Sequence, residues 1–228
     1  LTGFPVITEY LPMVNRTVII AGATGLVGRE ILNGLLADET VAKVHSLGRR
    51  TLGIQHPKLT AHVVDFAALP SLPAADELYL ALGTTIKVAG SQAAFLAIDY
   101  DANLAVAKAA LIAGVKKLGL VSAMGADSDS KVFYSRVKGS LENALTLMPF
   151  EGLVISRPSL LVGNREAVGQ SKRWGEQLGF AFSKAVGFLI PSNYKPIEAA
   201  DVAKALLIEV PRATGKTVML SGSICSTK

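Results

Sequence analysis

The chain predicts an α/β protein, a doubly wound and mostly parallel sheet covered by helices on both faces. Three observations carry that expectation. Short, continuous apolar runs alternate with helical stretches along most of the 228 residues, the pattern of strands buried on both faces. The first run, Val18-Ile19-Ile20-Ala21, leads directly into Gly22-Ala23-Thr24-Gly25-Leu26-Val27-Gly28, a turn with glycine at every third position. The stretch after it, Glu30-Ile31-Leu32-Asn33-Gly34-Leu35-Leu36, has the apolar spacing of a helix.

Taken in order, the first strand is expected at Thr17–Ala21 and its following helix at Arg29–Ala37. Apolar runs place further strands at Lys43–Leu47, Ala61–Asp65 and Glu77–Leu82, then a long helix at Ser91–Ala113. A strand at Lys117–Ser122 and a helix at Phe133–Leu147 repeat the unit, and Leu153–Arg157 is the next strand. Helices at Ser171–Val186 and Asp201–Val210 precede a last strand at Thr217–Leu220. Right-handed crossovers turn this alternation into a doubly wound sheet whose ligand lies at the carboxyl ends of the strands. No repeat, low-complexity tract or linker divides the chain, so residues 1–228 are expected to form one domain. The region from about 163 to 196, rich in Gly and Lys/Arg, is the expected lid or substrate segment.

Composition narrows the function classes. Half the residues are hydrophobic and 18% are charged, enough for a large core and too apolar for disorder. The longest apolar stretch, Leu104 to Val115 with Lys108 inside it, is too short for a membrane span. Residues 1–14 contain Glu9 and two prolines and lack a basic start, so they do not read as a secretory leader. The chain opens on Leu1, so its true beginning is expected upstream. One cysteine, Cys225, excludes an internal disulfide framework and favours a reducing compartment, and the cytoplasm is the expected location. Three scattered histidines, His45, His56 and His62, form no ligand cluster, and no metal is expected. The net charge of +5 comes from single or paired basic residues without aromatic strands beside them. A mildly basic protein that binds an anionic cofactor accounts for it, and nucleic acid is not an expected partner.

A strand, a three-glycine turn and a helix are the parts of a dinucleotide site, the signature of the Rossmann fold. Gly22 lets the chain turn sharply, Gly25 lets the backbone approach a pyrophosphate, and Gly28 lets the helix pack closely. Gly25, as a turn glycine, can also require positive φ. Thr24, Leu26 and Val27 lie between these glycines, where the helix start offers N–H groups and its positive dipole end to phosphate. An NAD site wants Asp or Glu about 20 residues further on, to bind the ribose hydroxyls. Here that zone reads Ser46-Leu47-Gly48-Arg49-Arg50. Arg49 and Arg50 fit a 2′-phosphate instead, so NADP(H) is the expected cofactor. Asp65 and Phe66, after the third strand, could meet the adenine, although a strand-end Asp can equally cap the next turn.

Tyr134-Ser135-Arg136-Val137-Lys138 supplies the chemistry. Tyr and Lys at i and i+4 share one helix face, and the lysine charge favours the phenolate of a proton-transferring tyrosine. Lys138 could also hydrogen-bond a cofactor ribose. Ser122, at the end of the preceding strand, could hold a substrate carbonyl or hydroxyl beside Tyr134.

The ordered set of the glycine turn, Tyr-x-x-x-Lys and Arg157-Pro158-Ser159-Leu160-Leu161-Val162-Gly163 resembles the atypical and extended short-chain dehydrogenase/reductases. The resemblance runs from about Thr17 to Val210. Leu82-Gly83-Thr84-Thr85, Ser122 to Asp127 and Phe133 to Leu145 look most like the Tat-interacting protein, oxidoreductase-like subgroup. It implies that Leu82, Gly83 and Thr84 line the cofactor, that Tyr134 and Lys138 are the acid/base pair, and that the backbone after Arg157 and Pro158 meets the nicotinamide carboxamide. Met124 stands where sugar epimerases and dehydratases of the extended branch carry Ser or Thr, and little chain follows Gly163 to build their substrate domain. Nucleotide-sugar epimerisation is therefore the weaker enzyme reading. Two functions follow from the resemblance. One is an NADPH-dependent reductase of a small carbonyl or activated double bond, with Tyr134 donating the proton. The other is a non-catalytic NADP(H) sensor that reports to a protein partner.

Overall fold

The computed structural model describes residues 15–163 and 192–225. Its strands are β1 (Arg16–Ala21), β2 (Val41–Gly48), β3 (Leu59–Val63), β4 (Glu77–Leu80), β5 (Lys117–Val121), β6 (Gly152–Arg157), β7 (Leu161–Val162), β8 (Ile197–Glu198) and β9 (Gly215–Leu220). Seven of them form one sheet in the order β3-β2-β1-β4-β5-β6-β9, and β7 pairs with β8 apart from it. Every pairing in the large sheet is parallel. Chain order reverses between β1 and β4, which is the switch point where sheets of this kind open a crevice at their carboxyl edge.

Side chains alternate across the sheet because successive Cβ atoms point to opposite faces. Val18 and Ile20 join a layer with Ile31 and Leu35 of α1 (Leu26–Ala37) and with Val202 and Leu206 of the helix Ala199–Glu209. Ile19 and Ala21 join the opposite layer with Leu78, Leu80, Leu118 and Leu120. That layer is closed by Val106 and Ala110 of the helix Asn103–Ile112 and by Leu141 and Leu145 of the helix Phe133–Thr146. Each fully buried Leu or Ile contributes about 1.5–3 kcal/mol of transfer free energy.

The expected helix Ser91–Ala113 is three pieces, preceded by the short α2 (Ile86–Ala89). α3 (Gln92–Leu96) runs into a six-residue π-helical segment, Ala97–Ala102, and then into α4 (Asn103–Ile112). α5 is Phe133–Thr146, α6 is Ala199–Glu209, and α7 is Ser221–Cys225. The third strand ends at Val63, two residues before the expected Asp65, because Asp65 turns its carboxylate to the Ala67 N–H at 2.9 Å. The expected helix Ser171–Val186 lies outside the described residues, as does most of the expected lid.

At the amino edge of the sheet, Arg16 ties three elements. Its Nη1 donates to both Glu77 carboxylate oxygens at 2.8 Å, and its Nη2 reaches Asp38 at 2.6 Å. Tyr79 Oη also donates to Glu77, at 3.1 Å. Burial and the Glu77 charge hold that phenol well above its ordinary pKa. This polar knot lies at the opposite edge from the glycine turn, which leaves the carboxyl edge free for chemistry.

Candidate functional site

The register brings the carboxyl ends of the central strands level. Ala21 pairs with Leu47 and with Leu80, Leu80 with Leu120, and Val121 with Ser156. The glycine turn, the loop after β4, Ser122 and the residues after β6 therefore share one edge. Gly22 has φ +96, and a Cβ there would lie 2.4 Å from the Ala81 carbonyl. The turn is thus pressed against the exit of β4. A Cβ on Gly28 would lie 2.1 Å from the Gly22 oxygen, so α1 packs directly on the turn. Gly25 differs from expectation: it caps α1 at φ −80 and ψ 169, ordinary extended backbone. The left-handed position belongs to Gly22.

Among the described residues, α1 starts with no side-chain cap and no acidic residue in its first turn. Its leading N–H groups and positive dipole end are left for an outside acceptor, and a phosphate fits that donor set. Thr24 is exposed beside them, Leu26 packs against Gly163, and the Val27 side chain is in the core. Val27 can therefore offer a ligand only its backbone. Arg49 and Arg50 are both exposed just beyond β2, next to the carboxyl end of β1. Neither has an acidic partner among the described residues. Asp65 is exposed and occupied in capping its turn, while Phe66 packs against the core layer that holds Leu78 and Leu80.

α5 carries Tyr134, Lys138 and Glu142 at successive helical repeats on one stripe. Tyr134 is half-buried, its ring 5.5 Å from that of Phe95. Lys138 is 4% exposed, and its Nζ lies 2.7 Å from Oδ1 of the wholly buried Asp99. The cation that the motif aims at the phenol is thus already matched by a carboxylate. Asp99 Oδ2 accepts the Thr84 N–H at 2.8 Å, and Asn103 Nδ2 donates to the Leu82 carbonyl at 3.3 Å. Gly83 is exposed directly beside this pair.

Ser122 is drawn a different way. Its hydroxyl donates to Glu142 Oε1 at 2.5 Å, and Glu142 is only 1% exposed. Arg157 grips the same carboxylate, with Nη2 at 2.6 Å and Nε at 3.1 Å, and those hydrogen bonds raise the guanidinium pKa. With its one proton committed, Ser122 Oγ keeps only lone pairs to present. No hydrogen bond joins Ser122 to Tyr134 among the described residues. Pro158 is buried, and its carbonyl accepts the Met124 N–H at 2.9 Å. Two clusters result: Gly83, Thr84 and Lys138 around Asp99, with Tyr134 one helical turn before Lys138, and Ser122 with Arg157 around Glu142.

Asp99, Asn103 and Glu142 were not among the expected site residues. A signal for the first two exists in the sequence. Phe95, Asp99, Ala102 and Val106 recur at helical spacing, so Asp99 falls on an apolar face, and Asn103 follows it by one turn. A polar residue on such a face needs a buried partner. A shallow groove of about 460 Å³ between α1 and α6 is lined by Glu30, Asp38 and Lys204. It lies away from these clusters and includes none of their residues. Among the described residues, no helix is long and apolar enough to cross a membrane.

No family model matches the chain. The protein fmp52, mitochondrial, of Emericella nidulans is 35% identical over 227 residues, covering 90% of this chain and 95% of its own. HTATIP2 of Rattus norvegicus is 33% identical over 196 residues, 80% of this chain and 79% of that one. The Bordetella bronchiseptica enzyme WbmH, solved in complex with NAD+, matches with a TM-score of 0.67 at 18% identity. It covers 91% of this chain and 76% of that one, a likeness of fold. The mitochondrial name, shared by further fungal relatives, overturns the expected cytoplasmic location. A lone cysteine argues against a disulfide framework but does not say which compartment holds the chain.

Proposed function

This chain belongs to the FMP52 and HTATIP2 family, related to the short-chain dehydrogenase/reductases, and on that premise we propose that it is an NADPH-dependent oxidoreductase. Its substrate class is a small carbonyl or an activated double bond. The observation that supports this most is the α5 stripe, where half-buried Tyr134 stands one turn from buried Lys138 at the carboxyl edge of the sheet. A bound nicotinamide cofactor supplies the hydride. The Gly22–Gly28 turn and the α1 N-terminus hold its pyrophosphate, while Lys138 meets a ribose hydroxyl. Gly83 and Thr84 line the same side, and the backbone after Pro158 faces the carboxamide. Tyr134 gives its proton to the substrate atom that gains electrons, and Lys138 stabilises the phenolate left behind. Ser122 serves as an acceptor, because its one hydroxyl proton is committed to the hydrogen bond with Glu142.

That last contact also favours the second reading, a cofactor sensor that reports to a protein partner. A serine that cannot donate to a substrate carbonyl has less to do in a reductase. The fungal relatives' names support a mitochondrial location, which fractionation of cells expressing a tagged chain tests.

Arg49 and Arg50, exposed beyond β2 and without an acidic partner among the described residues, support NADPH over NADH. Calorimetric titration of both cofactors tests this. NADPH is expected to bind about tenfold to a hundredfold tighter, the worth of one or two charge-assisted contacts. Arg49→Ala with Arg50→Ala is expected to remove the difference. Equal affinities in the unaltered protein would remove NADPH preference from the proposal.

A further inference from the structure

We propose that Asp99 is a positioning residue of the dinucleotide site: one buried carboxylate sets both the Lys138 ammonium and the Thr84 backbone. The inference rests on the reading that Lys138 meets the cofactor ribose. Asp99 sits in the π-helical segment Ala97–Ala102, and such segments inside α-helices are frequent at functional sites. Its Oδ1 lies 2.7 Å from Lys138 Nζ and its Oδ2 is 2.8 Å from Thr84 N. The Oδ1 contact is close but not aligned as a hydrogen bond. It acts as a charge contact, and the ammonium keeps donors to turn elsewhere.

The surroundings hold this carboxylate still. Asn103 Nδ2 spans the carbonyls of Leu82, Ile98 and Asp99 at 3.3, 3.1 and 3.3 Å, binding the β4 exit to the π-helical segment. A Cβ on Gly83 would lie 3.4 Å from Asp99 Oδ1 and 3.7 Å from Lys138 Nζ, so the loop rides directly on the pair. A buried ammonium without a counter-charge leaves its place or loses its proton. Asp99 therefore decides whether Lys138 is where the ribose needs it. It touches neither cofactor nor substrate itself.

Asp99→Asn keeps an oxygen for the Thr84 N–H, removes the charge and sets an amide NH₂ against the ammonium. NADPH affinity, measured in the unaltered protein and in a Lys138→Met background, separates the roles. With Lys138 present, Asp99→Asn is expected to weaken NADPH binding about tenfold, and in the Lys138→Met background less than about twofold, the non-additivity of a residue acting through its neighbour. Equal losses in both backgrounds overturn the proposal and give Asp99 a role in the fold alone, leaving the cofactor reading intact. Failure of the unaltered protein to bind either NADPH or NADH overturns both. Thermal melting of each apo variant checks folding. If Asp99→Asn does not fold, Asp99→Glu, which keeps the charge but shifts it by one methylene, carries the same cycle.

Discussion

Gly22 and Gly25 are three residues apart and do different work. Gly22 combines a left-handed backbone with van der Waals exclusion by the Ala81 carbonyl. Gly22→Ala is therefore expected to cost at least about 3 kcal/mol, from strain of about 1–3 kcal/mol plus a backbone clash. Gly25 has ordinary backbone angles and its nearest obstacle to a Cβ, the Gly22 oxygen, is at 3.2 Å. Gly25→Ala is expected to change stability by less than about 1 kcal/mol while reducing NADPH affinity. Urea unfolding and cofactor titration of both variants check this, and a fold as sensitive at Gly25 as at Gly22 would contradict it. At this scale the glycines and the Tyr134–Lys138 pair were legible, because their spacing is local. Asp99 shows in the sequence only as a polar residue on an apolar helical face and Glu142 gives no such signal, since the partners of both come from other elements.

On α5, two buried charges face inward within one turn of each other. The helix can come this close to the loop after β5 because position 139 is Gly, where a Cβ would lie 2.2 Å from Ser128 N. Glu142 is held by Arg157, whose side chain is 30% exposed, and by Ser122. Arg157→Met is expected to cost about 2–3 kcal/mol, below the full value for a buried pair because the guanidinium is partly solvated. Adding Glu142→Gln to Arg157→Met should recover part of that loss, since the stranded carboxylate disappears. Denaturant midpoints of the single and double variants measure it, and strictly additive losses would show the two side chains to be uncoupled. The π-helical segment was hidden for a related reason. Ser91–Ala113 keeps helical apolar spacing throughout, and the expansion coincides with Asp99 and Asn103 finding partners on the loop after β4 and on α5 rather than with any helix breaker.

Across the whole molecule, strand order and layering follow from apolar runs that strong periodicity makes visible. Polar links between strands are less so. His45 on β2 and His62 on β3 lie side by side, their ring nitrogens 3.0 Å apart. Burial, then the nearby charges of His62 and Lys43, push the His45 pKa below its ordinary 6.5. The folded state thus prefers the neutral imidazole, and the unfolded state binds the extra proton. This contribution to stability is fully present above pH 6.5 and is lost as pH falls through the lower folded value. Urea unfolding at a series of pH values should show that decline, and His45→Gln should flatten it; an unchanged slope would contradict the assignment. The proposed reduction of a substrate with NADPH at the carboxyl edge of this sheet depends most on Tyr134. Loss of reduced-nicotinamide absorbance is followed across a panel of quinones, aldehydes and ketones with the unaltered protein and Tyr134→Phe, which keeps the ring against Phe95 but removes the proton. Turnover of at least one member, falling by about 10²–10⁴ in Tyr134→Phe with NADPH affinity nearly unchanged, is the expected result. Turnover by Tyr134→Phe as fast as that of the unaltered protein, or no reduction of any panel member by a protein that binds NADPH, would contradict it.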